Sequence, residues 1–107
     1  IAQPDVGRVG GLTEAMKVCD MAAERGRQII PHCWKTGISI SASAHLAAVT
    51  PHCPFFEYLP VELTDSKLRQ ELVQDDLKLV DGKLAIPQKP GLGIEVNMDA
   101  LQRFKQD

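Results

Sequence analysis

Three polar residues, Asp5, His32 and Glu57, each end a short extended or apolar run, and they stand 27 and 25 residues apart. One strand, one helix and their turns take about that length, so the spacing predicts successive strand–helix units. The residues between them agree. Ile1–Val6 is extended, and Gly7-Arg8-Val9-Gly10-Gly11 supplies turn residues. Thr13 is expected to cap a helix running to about Arg25, with Ala15, Val18, Cys19, Ala22 and Ala23 on one face. Gly26 stops it, and Gln28–Pro31 forms an apolar strand ending at His32-Cys33-Trp34. After a loop at Lys35-Thr36-Gly37, Ser39–Val49 reads as a helix whose small residues suit close packing on a sheet. Thr50–Pro54 connects it to a third strand, Phe55–Leu59. The expected class is α/β: three parallel strands and two crossover helices.

Beyond Pro60 the pattern changes. Asp65 is placed to cap a short helix through about Val73, with Leu68 and Leu72 one turn apart. Leu77–Val80 and Lys83–Ile86 flank Asp81-Gly82, a two-residue hairpin signal. Pro87–Gly93 is rich in proline and glycine, and Asn97 or Asp99 starts a last helix ending near Lys105.

A net charge of −2 gives no electrostatic reason to expect nucleic acid or an anionic membrane as partner. No apolar run approaches the length of a membrane span, and no signal-peptide pattern opens the chain. Three cysteines at irregular spacing fit reduced thiols in a cytoplasm better than a disulfide framework, with Cys19 in the core. The pairs His32-Cys33 and His52-Cys53 suggest zinc, but neighbours on an extended segment point to opposite faces and no C-x2-C or H-x3-H spacing is present. The start at Ile1, in a strand and without Met, suggests a piece of a longer protein.

In parallel α/β folds, chemistry gathers at the C-terminal ends of strands. Adjacent strands lie about 4.8 Å apart, so side chains at neighbouring ends can touch. An Asp beside a His accepts the Nδ1–H bond, fixes the tautomer and leaves Nε2 to move a proton. Each residue also has a plainer reading. Asp5 would cap a turn, His32 would be a satisfied core histidine, and Glu57 would face solvent on an alternating strand. Recurrence at three equivalent positions favours the site. His45, mid-helix, and His52, in a proline-bounded loop, read as structural; Lys35 and the pair Asp75-Asp76 read as solvated; Trp34 reads as a pocket wall.

The stretches Gln3–Ala15, Ile30–Trp34, Phe55–Tyr58, Leu79–Pro87 and Pro90–Asn97 resemble, in order, the mandelate racemase/muconate lactonizing enzyme family of the enolase superfamily. The resemblance implies the C-terminal portion of a (β/α)8 barrel, strands six to eight, over residues 1–75. Residues 76–107 would be a tail returning to the capping domain. It assigns Asp5 and His32 to the pair that transfers the proton α to a substrate carboxylate. Glu57 becomes the residue that hydrogen-bonds that carboxylate as it turns into an enediolate. A histidine after the seventh strand places the chain with the mandelate racemase-like subgroup.

Family enzymes use Mg²⁺ to stabilise the enediolate. Its carboxylate ligands lie on the third to fifth strands, so no Mg²⁺ is expected on these residues alone. The expected function is part of a Mg²⁺-dependent enzyme acting on a hydroxy-carboxylate, foremost an acid-sugar dehydratase. The alternatives are a racemase, an epimerase, a lactone cycloisomerase, or an inactive fragment. Exposed strand edges lead us to expect self-association or a homo-oligomer.

Overall fold

The computed structural model describes residues 1–106. Two helices of 13 residues dominate, α1 (Leu12–Glu24) and α2 (Gly37–Val49). A 3-10 turn follows at Val61–Leu63, then α3 (Lys67–Glu71), the strand pair β1 (Leu79–Val80) and β2 (Lys83–Leu84), and α4 (Met98–Arg103). Helices with a small sheet make an α/β fold.

The crossover pattern is present in its backbone bonds more than in named strands. Ala2 and Ile29 form a parallel bridge. Ala2 N–H donates to the Gln28 carbonyl at 2.8 Å, Ile30 N–H to Ala2 at 2.9 Å, and His32 N–H to Pro4 at 3.2 Å. On the other flank, Glu57 N–H donates to the Pro31 carbonyl at 3.3 Å. The segment ending at His32 therefore lies between those ending at Asp5 and Glu57. None of the three expected strands forms a ladder: Ile1–Val6 and Gln28–Pro31 share one isolated bridge, and Phe55–Leu59 makes only the single bond from Glu57.

Local chemistry explains where the helices begin and end. Helix α1 starts after Gly11, whose φ of 97° suits glycine, and not at Thr13 as the sequence suggests. It ends as expected: Gly26 at φ 61° donates to the Ala23 carbonyl, and Arg27 N–H returns to Ala22, a Schellman stop. Helix α2 begins at Gly37, two residues before the expected Ser39. A Cβ on Gly37 would come within 2.7 Å of Asp76 Oδ1 and 2.8 Å of Val73 Cγ2, so only glycine lets these elements approach. Ser66, rather than Asp65, caps α3 by accepting from Arg69 N–H, and Asn97 caps α4 by accepting from Ala100 N–H. The hairpin is as expected but shorter, with Leu79 opposite Leu84 and positive φ at both Asp81 and Gly82.

Helix α2 is buried on most sides, through Gly37, Ile40, Ser41, Ala42, Ser43, Ala44 and Leu46. One cluster joins Ala42 and Leu46 to Val6, Ile29, and Ala15, Cys19 and Ala22 of α1. A second joins Ile40 and Ala44 to Cys33 and Leu77, with Phe56, Tyr58, Leu84, Ile86 and Ile94 packed around it. The segment after residue 76 thus completes the core over α2. Asp76 is not solvated as the sequence suggests. It pairs with Arg69, whose side chain is 3% exposed and which also donates to the Leu59 carbonyl at 3.1 Å. Asp75 is exposed.

Candidate proton-transfer site

The bond from His32 N–H to Pro4 sets the register that places Asp5 beside His32. Their side chains meet: His32 Nδ1 lies 3.0 Å from Asp5 Oδ2. With Nδ1 donating to a carboxylate, the ring presents its Nε2 lone pair away from Asp5. Glu57 Oε2 lies 3.6 Å from that Nε2, beyond a direct hydrogen bond, and accepts from the Cys33 backbone N–H at 3.0 Å. The three residues expected from spacing are therefore brought together, with the imidazole between two carboxylates.

Asp5 is buried, and its oxygens are fully occupied. Oδ1 accepts from Gly7 N–H at 2.9 Å and from Lys35 Nζ at 3.1 Å. Oδ2 faces His32 and, at 3.5 Å, Arg8 Nε. Lys35 is thus not the solvated side chain suggested by its loop position. Its pairing is invisible in the sequence because Asp5 lies 30 residues away. Trp34 is 61% exposed and borders a hollow of about 320 Å³ shared with Lys35, Thr36, Ser39, Leu59 and Arg69. It stands at the edge of that hollow, next to the His32 loop.

Burial on its own would push the Asp5 carboxyl up. The bonds from His32 and Lys35, the Lys35 charge and the Gly7 amide outweigh burial and hold it below its ordinary value. A depressed carboxylate stabilises the fold above its unfolded pKa, about 3.9, and loses that contribution as pH falls through the folded value. Unfolding midpoints are therefore expected to drop on acidification below about pH 4, and Asp5→Asn is expected to flatten that drop. An unchanged acid limb in Asp5→Asn would show that the bonds to Asp5 are not formed.

The remaining histidines are structural in their contacts. Half-buried His45 Nδ1 sits 2.8 Å from the Ser41 carbonyl one turn earlier, and His52 is an exposed turn residue at φ 61°. Cys19 and Cys33 are buried free thiols, pushed up in pKa chiefly by that burial. Among the described residues no three His, Cys, Asp or Glu side chains are grouped to hold a metal ion. No helix among them is long and apolar enough to cross a membrane.

Comparison with known proteins places the chain in a family. The family described as "Enolase C-terminal domain-like" matches residues 1–100. The chain belongs to this family. Its relatives include D-galactarolactone cycloisomerase from Agrobacterium fabrum, 38% identical over 98% of the chain and 29% of that protein. Arabinonate dehydratase from Saccharolobus solfataricus is 32% identical over 98% of the chain and 27% of that protein. In structure, the chain resembles 3,6-anhydro-D-galactonate cycloisomerase from Zobellia galactanivorans, with a TM-score of 0.86 and 39% identity. That match covers 99% of the chain and 29% of the other. The chain spans under a third of the length of these family members.

Proposed function

We propose that this chain is the C-terminal portion of a (β/α)8 barrel in an acid-sugar dehydratase that removes the proton α to a carboxylate. Residues 1–75 would carry the last three strand–helix units, and 76–107 the tail toward a capping domain. The observation that carries the reading is the 3.0 Å contact of Asp5 Oδ2 with His32 Nδ1, which leaves Nε2 open on the side of Glu57.

Asp5 fixes the ring and stabilises the imidazolium once Nε2 has taken a proton. Nε2 then removes the α proton, or as the conjugate acid protonates the departing β-hydroxyl. Loss of one α proton and one β-hydroxyl as water leaves an enol, which tautomerises to an α-keto acid. Glu57, when protonated, donates a hydrogen bond to the substrate carboxylate as negative charge builds there. Trp34 walls the approach.

Enolase-superfamily enzymes use Mg²⁺ to stabilise the enediolate. The carboxylates here do not suit that ion. Both oxygens of Asp5 face nitrogen donors, and Glu57 stands 3.6 Å from an imidazole nitrogen, with no further carboxylate grouped there among the described residues to complete an oxygen shell. No step above therefore passes through a metal.

The similarity to two cycloisomerases favours a second reading, in which the same proton transfer opens or closes a lactone. Product analysis separates the two. With C5 and C6 acid sugars, the intact enzyme is expected to release a 3-deoxy-2-keto acid and one water. Conversion of a lactone into an isomeric ring-opened acid, with the ring oxygen leaving as a carboxylate in place of the β-hydroxyl and no water gained or lost, would replace the dehydratase reading by the cycloisomerase one.

A further inference from the structure

The proton-transfer pair has a third member that the family resemblance did not supply. We propose that Lys35 is a positioning residue that pins the Asp5 carboxylate so that Oδ2 stays on His32 Nδ1. This rests on the reading of His32 as the proton-transfer group.

A carboxylate turns easily about its last torsion, because that rotation is broad and two-fold. Asp5 is nevertheless held at both ends: Gly7 N–H and Lys35 Nζ share Oδ1, and His32 takes Oδ2. The Gly7 amide belongs to the same turn as Asp5 and moves with it. Lys35 comes from the loop that carries His32, three residues further on, so it ties the two loops to each other. Its side chain is 30% exposed against 9% for Asp5, so the ion pair is partly withdrawn from water. Gly7 makes room for it: a Cβ there would approach Lys35 Nζ to 3.1 Å.

Charge gives Lys35 a second effect on the same ring. The charged groups around His32 are Asp5 and Glu57, opposed by Lys35 and by exposed Arg8 at 3.5 Å from Asp5. Without Lys35, two carboxylates would face the ring against Arg8 alone. Lys35 balances the pair while orienting it.

Lys35→Met and Lys35→Arg in the intact enzyme test this. In Lys35→Met the Asp5 carboxyl carbon, followed by NMR without substrate, is expected to titrate at higher pH than in the wild type. The His32 Nδ1–H signal is expected to broaden or vanish. Turnover of acid sugars is expected to fall on the order of tenfold to a hundredfold in kcat, less than the loss of the base itself, with KM changed by less than about twofold. Lys35→Arg is expected to restore most of both. Unchanged Asp5 titration and an unchanged Nδ1–H signal in a folded Lys35→Met protein would overturn the proposal. So would an equal loss in the Met and Arg variants. If the wild type acts on no acid sugar, the reading of function fails, while the NMR comparison still decides whether Lys35 holds Asp5.

Discussion

Replacing Asp76 with Ala is expected to lower the free energy of unfolding by about 3–5 kcal/mol, the usual cost of leaving one member of a buried ion pair alone. Arg69 is 4% exposed, and its Nε already has no partner among the described residues. Asp76 accepts from Nη1, leaving Nη2 to the Leu59 carbonyl. Removing the carboxylate would strand a guanidinium in the core with one carbonyl for company. The loss spreads, because Asp76 Oδ1 also accepts from Leu77 N–H at 2.9 Å, and Leu77 is buried in the second core cluster. Tyr58 donates its hydroxyl to the Leu77 carbonyl at 2.7 Å; burial, then the Asp76 charge, push that hydroxyl up in pKa and keep it a donor. The pair thus joins α3, the segment after Glu57 and the start of the hairpin. Urea unfolding at constant m-value measures the change. Replacing both residues with Met and Leu is expected to recover much of it, since apolar groups of similar volume need no counter-charge. A loss below about 1 kcal/mol in Asp76→Ala would mean that the pair behaves as a solvated surface bridge.

Arg69 and Asp76 also mark where sequence reasoning stops. Periodicity located α1, α2 and the Asp81-Gly82 hairpin because their signals are local: apolar residues at helical spacing, a glycine at a stop, a two-residue turn. The same local evidence placed Asp5, His32 and Glu57 at equivalent points, and the backbone register brings them together. Caps were less legible, since Asp65 and Ser66 offer equivalent acceptors and only the path of the chain selects Ser66. Phe55–Leu59 has the composition of a strand, yet a strand needs a ladder that continues along a neighbour, and its backbone makes a single bond, Glu57 N–H to Pro31, toward the segment ending at His32. Asp76 and Lys35 look solvated in the sequence because a charge in a loop gives no sign of a partner elsewhere in the chain. Asp76 finds Arg69 seven residues back and Lys35 finds Asp5 thirty back.

Proton transfer turns on His32, so the largest functional effect of a substitution is expected there. His32→Asn keeps a side chain that can donate to Asp5 Oδ2 from a similar place, so the backbone bond to Pro4 and the packing of Cys33 should persist. It removes the one imidazole that stands between the two carboxylates. General acid–base groups contribute about 10²–10⁴-fold, and no other titratable nitrogen occupies that place: Lys35 is committed to Asp5, and His45 to the Ser41 carbonyl. The direct measurement is exchange of the α proton of an acid sugar with D₂O, followed by NMR in the intact enzyme. The wild type should exchange or eliminate that proton, while His32→Asn, folded and with an unchanged unfolding midpoint, should show a rate lower by about 10²-fold or more. Exchange at the wild-type rate in folded His32→Asn would contradict the assignment of His32 as the proton-transfer group.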